Sequence, residues 1–257
     1  MIGSICPFST IPVRLEPSER APLETQVLFG EVFYVLETMQ GWCRIKLDFD
    51  GYEGWVDEKT VIETNADEIK RWLLAPGVII PMPCLKLIRE PEKSTQLISG
   101  GSRIVFNRKD RNTIVIGKRE FYVQDNLLDR KVDLETVAKG FLNTSYLWGG
   151  RTFFGIDCSA LVQIVFKITG VVIPRNASQQ IECGTTVSFV EEARLGDLAF
   201  FDNPDGAITH TGICLGDGRI LHASGEVRID HLDHQGIFNF ELHKYTHHLR
   251  VIKRIVE

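Results

Sequence analysis

The sequence predicts an α+β chain in which two small β-barrels precede a larger domain of helices and strands. Short, alternating strand patterns separated by turn residues dominate the chain up to about residue 128 and favour barrels of few strands. From residue 129 onwards, helical patterns come first and a run of strands follows, an order typical of α+β domains. We therefore predict a first barrel (1–63), a helical linker (64–77), a second barrel (78–128) and a C-terminal domain (129–257).

The first barrel and the linker carry clear turn and helix-end signals. Polar and apolar residues alternate through 41–56, and Asp50 with Gly51 marks a hairpin turn between two strands. In the linker, Asn65 can cap a helix, Glu68 completes a capping box, and a Pro-Gly pair ends the pattern. Strand patterns then return in the second barrel.

The C-terminal domain is predicted to contain two main helices. An amphipathic helix covers 133–144, and a more apolar helix begins at or just before Cys158 and ends at Gly170. The remaining elements are a short helix at 176–183 and strands at 196–202, 210–216, 219–225 and 248–256.

Composition excludes several classes of protein. Of the 257 residues, 44% are hydrophobic and 25% are charged, with a net charge of −5, as in ordinary globular domains. No basic run favours nucleic acid, and no apolar run reaches the ~18 residues that cross a membrane. The N-terminus lacks the basic start and apolar core of a signal peptide, so we expect a cytoplasmic protein. The alternative is an exported protein whose signal peptide has been trimmed.

The cysteines are expected to be free thiols. None forms a CxxC pair, and no histidine stands beside them at zinc-binding spacing. Disulfides are the alternative, since the count is even. Cys43 and Cys214 lie in apolar alternations and suit the core. The six are Cys6, Cys43, Cys84, Cys158, Cys183 and Cys214.

Cys158 stands where a thiol can become reactive. A thiol attacks acyl groups as its thiolate, and both a helix N-terminus and a neighbouring imidazole favour that form. The predicted helix begins at this residue. The alternative is a structural cysteine, because a lone cysteine at a helix start is usually one.

Two histidines flank a predicted hairpin turn at 216–218, and the length of its loop decides their chemistry. With three loop residues, Leu215 pairs with Arg219, and His222 falls opposite Gly212. His210 is then the diagonal neighbour of His222 on the same face. With two loop residues the rings point to opposite faces, and His222 is merely a half-buried strand residue. A catalytic triad requires the first register.

Residues 130–257 resemble the NlpC/P60 family of papain-like cysteine peptidases. The chain departs from the family at Ala160, where glycine is usual, and at Cys214, where an aromatic residue is common. The matching pieces, in order, are YLWGG (146–150), DCSAL (157–161), Pro174 and Arg175 with Gln179, GDL (196–198), HTGICLG (210–216) and LHAS (221–224).

This resemblance implies a papain-like fold, with helices packed on an antiparallel sheet, and a set of catalytic roles. Cys158 is expected to be the nucleophile, His210 the base, and His222 the residue that orients it. The backbone N–H of Cys158 and the hydroxyl of Tyr146 are the expected oxyanion donors. No metal or organic cofactor is implied.

Residues 1–128 resemble paired bacterial SH3-like domains, through FGE (29–31) and GYEGWV (51–56). This arrangement is similar to the γ-D-glutamyl-L-diamino acid endopeptidases, or dipeptidyl-peptidases VI. It implies cleavage of the γ-D-Glu–diamino acid bond in peptidoglycan peptides with a free N-terminal L-Ala, in wall turnover or recycling. Diaminopimelate and lysine both remain open as the diamino acid.

The resemblance also implies which residues bind the substrate. Glu31, Tyr52 and Asp157 are expected to hold the free amine, because a buried ammonium needs a charged partner. Arg175 is expected to pair with the α-carboxylate of D-Glu, and Ser159 to donate a hydrogen bond. The alternatives are a solvated carboxylate for Glu31, a surface aromatic for Tyr52 and a surface salt bridge for Arg175.

Two other functions fit the same sequence. One is a wall-binding protein with a vestigial catalytic domain, against which the intact Cys158, His210 and His222 argue. The other is an amidase or acyltransferase of the same fold. The expected partner is a wall-derived peptide, with neither nucleic acid nor membrane insertion, and the protein is expected to be a monomer.

Overall fold

The structure is a computed structural model of the chain, and it describes residues 2–81, 83–107, 110, 112–124 and 132–256. The chain forms two compact units, Met1–Lys131 with Trp148–Phe153 and Val132–Leu147 with Phe154–Glu257. The predicted boundary at 128/129 lies outside the described residues, and the division of 1–128 into two barrels and a linker stays a prediction. In the described part of the chain, no helix has the length and apolar character needed to span a membrane.

The described part of the first unit is built mainly from antiparallel strands. The first seven form one sheet in the order β3-β2-β6-β5-β4-β1-β7, four later strands form a sheet in the order β10-β9-β13-β12, and β11 pairs with β8. The elements are β1 (Gly3–Ile5), β2 (Thr10–Arg14), β3 (Leu23–Leu28), β4 (Val32–Met39), β5 (Trp42–Leu47), β6 (Glu53–Asp57), β7 (Glu63–Thr64), α1 (Ala66–Leu74), β8 (Val78–Ile79), β9 (Cys84–Glu90), β10 (Ser94–Ser99), β11 (Arg103–Ile104), β12 (Thr113–Ile116), β13 (Arg119–Val123) and β14 (Arg151–Thr152).

Two hydrophobic clusters hold this unit together. One lies among the early strands and includes Cys43, which is buried as its alternation predicts. The other joins Phe29 of the loop after β3 and Trp72 of α1 to Leu87 and Phe121 of the later strands. Helix α1 and both groups of strands therefore share one core.

Helix α1 starts as predicted but is not closed by a capping box. Asn65 caps it by accepting a hydrogen bond from the backbone N–H of Glu68 at 2.8 Å. The carboxylate of Glu68 accepts instead from the backbone N–H of Gly117, also at 2.8 Å, in the turn between β12 and β13. The capping-box prediction was wrong because a partner distant in sequence takes the glutamate.

The second unit combines three helices with a closed barrel. Its strand order is β16-β22-β17-β18-β19-β20-β21, and β22 also pairs with β21, so six strands close on themselves. The elements are α2 (Leu134–Lys139), β15 (Gly155–Ile156), α3 (Cys158–Ile168), α4 (Ala177–Gln180), β16 (Thr185–Val187), β17 (Leu198–Asp202), β18 (Ile208–Gly216), β19 (Arg219–Ser224), β20 (Glu226–Asp233), β21 (Gly236–Asn239) and β22 (Lys244–Arg254).

The predicted helices of this unit are present, but two are shorter than predicted, and the helix expected at 176–183 spans only Ala177–Gln180. Helix α3 begins at Cys158, as predicted, and lies against β18 and β19 with nearly all of its residues buried. Helix α2 ends at Lys139 rather than at 144, because Gly140 favours the end of a helix.

The strands differ from the prediction in number. The sequence analysis did not predict β20 and β21, and β22 begins at Lys244 rather than at 248. These strands complete the barrel, whose apolar cluster contains Phe201, Cys214 and Ile220. The buried position predicted for Cys214 is confirmed, and all six cysteines are free thiols.

We expect Gly30→Ala to destabilise the first unit far more than Gly41→Ala. Both glycines have positive φ angles, 76° and 82°, so each alanine pays about 1–2 kcal/mol for a left-handed conformation. A Cβ at Gly30 would also lie 1.7 Å from the backbone oxygen of Arg103, while none of the described atoms lies within 4 Å at Gly41. Overpacking adds about 1–3 kcal/mol. Equal free energies of unfolding in urea would contradict this expectation.

Candidate active site

His210 and His222 form a hydrogen-bonded pair on neighbouring strands of the barrel. His222 lies opposite Gly212, as the catalytic register required, and His210 Nε2 lies 2.8 Å from His222 Nδ1. A Cβ on Gly212 would lie 2.8 Å from the Cβ of His222. The room for the pair therefore depends on glycine at position 212.

The predicted loop of this hairpin was wrong in one detail. Arg219 pairs with Gly216 rather than with Leu215, because a bulge lies between Cys214 and Gly216. The bulge takes up one residue, so a two-residue turn still leaves the two imidazoles on the same face.

Asp230, which the sequence analysis missed, lies at the far end of this pair. Its Oδ2 lies 3.0 Å from His222 Nε2, and both side chains are buried. Arg228 donates from Nε to Oδ2 at 2.8 Å and from Nη2 to Oδ1 at 3.1 Å. Burial raises the pKa of Asp230, but the hydrogen bonds from His222 and Arg228 outweigh it, so the net pKa is lowered. Asp230 is therefore ionised.

His247 of β22 stacks on His210, with ring centroids 4.1 Å apart and 23° between the planes. Burial, followed by the electrostatic effect of His222, lowers the pKa of His247 to about 4. Burial also holds the pKa of His210 well below 6.5, and His247 and His222 lower it further. Both rings are therefore neutral at neutral pH, and His210 can accept a proton.

The imidazoles have the composition of a metal site but not its spacing. The ring nitrogens of His210, His222 and His247 lie within 4.8 Å of one another. Two nitrogens on a tetrahedral zinc ion would be about 3.3 Å apart, given Zn–N bonds of about 2.0–2.1 Å. The 2.8 Å contact between His210 and His222 is that of a hydrogen bond instead.

Cys158 is the first residue of α3, and it is buried in the same unit. Burial and then the charge of Asp157 raise its pKa to about 11, while the backbone N–H groups of Thr211 and Ser159 and the charge of Arg175 act in the opposite direction. The contact with Thr211 places the thiol beside the residue that follows His210. The thiol therefore needs a base to become a nucleophile.

Asp157, Ser159 and Arg175 lie together next to Cys158. Arg175 donates to both carboxylate oxygens of Asp157, at 2.9 and 2.5 Å, and to the hydroxyl of Ser159 at 2.9 Å. Asp157 also caps α3 by accepting from the backbone N–H of Ala160 at 2.8 Å. Arg175 is buried rather than in a surface salt bridge. The predicted carboxylate and guanidinium ligands thus contact each other.

Tyr146 is half-buried in the same unit. Burial, and then the charges of Cys158 and Asp157, raise its pKa to about 12. Its hydroxyl therefore keeps its proton at neutral pH and can act as a hydrogen-bond donor.

Glu31 and Tyr52 belong to the first unit, and each has partners there. Both carboxylate oxygens of Glu31 accept from Arg151, at 3.0 and 3.1 Å, and the backbone N–H of Leu28 donates at 2.8 Å. Glu31 is buried, which rules out a solvated carboxylate. The hydroxyl of Tyr52 donates to Glu24 at 2.9 Å.

Some of these partners could have been found from the sequence. Gly225, between Ser224 and Glu226, marks a tight turn that would have predicted β20 and placed Asp230 diagonal to His222. The pairings of His247 and of Arg151 depend on strands or segments far apart in the chain. No local sequence pattern predicts these pairings.

A buried thiol at a helix start beside a hydrogen-bonded imidazole pair defines the class of the protein as a cysteine peptidase. The NlpC/P60 family model matches residues 143–246, and the bacterial dipeptidyl-peptidase Sh3 domain model matches residues 13–61. The chain belongs to the NlpC/P60 family and carries an SH3-like domain in its N-terminal part.

Its relatives include bacterial dipeptidyl-peptidases. It is 30% identical to the γ-D-glutamyl-L-lysine dipeptidyl-peptidase of Bacillus subtilis over 220 residues, covering 78% of this chain and 72% of the relative. It is 28% identical to the Bacillus cereus protein of the same name, covering 83% and 71%. A crystal structure of an NlpC/P60 family protein from Bacillus cereus covers 99% of this chain and 100% of that protein, with a TM-score of 0.84 at 21% identity. That likeness shows the fold.

We expect the acid limb of kcat/KM to lie below pH 6.5. The lowered pKa of His210 keeps this ring neutral as the pH falls past 6.5, and the base is lost only when the pH passes the lower value. Initial rates of peptide hydrolysis well below KM, measured from pH 4 to 8 with circular dichroism as a control for folding, test this. An acid limb at or above pH 6.5 in folded enzyme would contradict it.

Proposed function

We propose that the chain hydrolyses the γ-D-Glu–diamino acid bond of peptidoglycan peptides that begin with a free L-Ala, in wall turnover or recycling. One observation carries the catalytic part, namely the His210–His222 hydrogen bond beside the buried thiol of Cys158. The relatives named as γ-D-glutamyl-L-lysine dipeptidyl-peptidases support the substrate. The papain-like packing of helices on an antiparallel sheet and the second SH3-like barrel belong to the same proposal.

The reaction follows from the order of these groups. His210 takes the proton of Cys158 as the sulfur attacks the γ-carbonyl carbon of D-Glu, and the carbonyl oxygen becomes an oxyanion. The backbone N–H of Cys158 and the hydroxyl of Tyr146 donate to this oxygen. His210 then protonates the leaving amine, and the diamino acid departs from a thioester. His210 next deprotonates a water molecule, which attacks the thioester and releases L-Ala-D-Glu with the thiol restored.

The proposed amine site has to work with carboxylates that are already paired. Arg151 offsets the charge of Glu31, and Arg175 offsets that of Asp157. An incoming ammonium group therefore adds a hydrogen-bond donor to each ion pair rather than meeting a lone charge. Selectivity for the free amine then arises because an acylated nitrogen is bulkier and carries no charge.

We expect Cys158→Ala to abolish cleavage of L-Ala-γ-D-Glu-diaminopimelate and of its lysine counterpart, because the nucleophilic sulfur is lost. Cys183→Ala removes a partly exposed thiol of the same unit and should leave turnover unchanged. Product analysis by mass spectrometry measures both variants. Turnover by the Cys158 variant at the wild-type rate would contradict the assignment.

We expect acetylation of the substrate's N-terminal amine to lower kcat/KM by at least about 100-fold, because a site built for a hydrogen-bonding group rejects an analogue that lacks it. Amidation of the far C-terminal carboxylate is the matched control and should be tolerated. Changing the substrate is cleaner than changing Glu31, since Glu31→Gln removes the carboxylate charge that offsets the buried guanidinium of Arg151. Equal cleavage of the acetylated peptide would favour an amidase or acyltransferase of the same fold.

A further inference from the structure

We propose that Asp230 is a positioning residue that acts through His222 to fix the base nitrogen of His210, so that the catalytic unit is a chain of four groups: Asp230, His222, His210 and Cys158. This inference rests on the proposed function only in taking Cys158 and His210 as nucleophile and base. The contacts that carry it, among Asp230, His222 and His210, all lie within the second unit.

The tautomers of His222 and His210 follow from the carboxylate of Asp230, which accepts a hydrogen bond at the end of this series of four groups. An ionised carboxylate can only accept, so His222 carries its proton on Nε2, the atom 3.0 Å from Asp230. A neutral His222 then has a lone pair on Nδ1, which accepts from Nε2–H of His210 at 2.8 Å. A neutral His210 protonated on Nε2 has its own lone pair on Nδ1. Asp230 thereby makes Nδ1 of His210 the atom that removes the thiol proton.

Without the carboxylate, the hydrogen bond between the two imidazoles could run in the opposite direction. His222 could then carry its proton on Nδ1 and donate it to Nε2 of His210. His210 would be protonated on Nδ1 and could not accept a proton there. The same direction of hydrogen bonding matters after His210 has taken the thiol proton. The imidazolium of His210 then donates to Nδ1 of His222, and the negative charge of Asp230 lies beside Nε2 of His222.

Burial of the two imidazoles strengthens the preference for these tautomers. His210 and His222 are both less than a tenth exposed, so water competes poorly for their nitrogens. Arg228 holds Asp230 through two hydrogen bonds, one to each carboxylate oxygen, and also donates to Glu241 at 3.1 Å. His247 covers one face of His210 and is neutral. Among the described residues, the charged groups hydrogen-bonded in series to this pair are Asp230, Arg228 and Glu241.

The test is a double-mutant cycle with Asp230→Ala and His222→Ala. We expect Asp230→Ala to lower kcat by about 10- to 100-fold with KM changed by less than about threefold, because the residue positions a base and does not touch substrate. In the His222→Ala background the same change should cost less than about threefold, because the group through which Asp230 acts is gone. Asp230→Asn keeps an oxygen acceptor but not the charge, and its loss should be smaller than that of Asp230→Ala.

Asp233→Asn is the matched control on the same strand. Asp233 accepts from the hydroxyl of Tyr245 at 2.6 Å and lies outside the chain of four groups, so its variant should keep the wild-type kcat. If Asp230→Ala fails to fold, the cycle is run with Asp230→Asn, which should lower kcat by about threefold or more. A folded Asp230 variant with wild-type kcat would overturn the proposal. An equal loss in both backgrounds would also overturn it, because Asp230 would then act independently of His222.

Two measurements separate this proposal from the substrate assignment. Alkylation of Cys158 by iodoacetamide needs the base but no substrate, and mass spectrometry of the Cys158 peptide measures its rate. This rate should fall more in Asp230→Ala than in Asp230→Asn, as kcat does. Nitrogen-15 spectra should show His222 protonated on Nε2 in the wild type and losing that preference in Asp230→Ala. If the wild type does not cleave L-Ala-γ-D-Glu peptides but the alkylation rates still follow this order, the substrate is wrong and the positioning role stands. If neither the alkylation rate nor the tautomer changes, the positioning role is wrong.

Discussion

The 2.8 Å hydrogen bond between His210 and His222 is the interaction on which the site depends, and the barrel is what makes it possible. Two imidazoles inside a protein are costly to bury unless their nitrogens find hydrogen-bond partners. Strand pairing opposite Gly212 brings the rings together, because any larger side chain there would collide with His222. Closure of the barrel then adds His247 on one side, while β20 supplies the carboxylate at the far end. Burial lowers the pKa of His210 and so keeps the base ready to accept a proton.

The sequence could predict the parts of this site that depend on local pattern. The hairpin turn and the alternation of strand residues were enough to place His222 opposite Gly212, and the helix start at Cys158 followed from apolar spacing. The bulge after Cys214 was not predicted, because Gly216 was assigned to the turn, yet it preserved the expected face. The position of the His247 ring could not be predicted from the sequence. It depends on β22, which closes the barrel by pairing with both β17 and β21.

The charged residues show a different limit of sequence reasoning. The family motifs predict substrate-binding roles for Glu31, Asp157 and Arg175. They do not predict which charged side chains form ion pairs with each other. In the structure Asp157 and Arg175 pair, and Glu31 pairs with Arg151. Each of these side chains is buried, and pairing is what allows a charge to be buried at all.

The proposed catalytic chain has a carboxylate near each of its ends. The charge of Asp157 opposes formation of the Cys158 thiolate, and Arg175 reduces that opposition. The imidazolium that forms when the thiol loses its proton is buried and needs stabilisation of its own. At this end the carboxylate of Asp230 has a favourable sign, and His222 carries its effect to His210 without bringing a charge into contact with the reacting sulfur. Arg175 offsets the acid next to the proposed nucleophile, whereas the proposed role of Asp230 is carried by hydrogen bonds through His222 and not by contact with the sulfur.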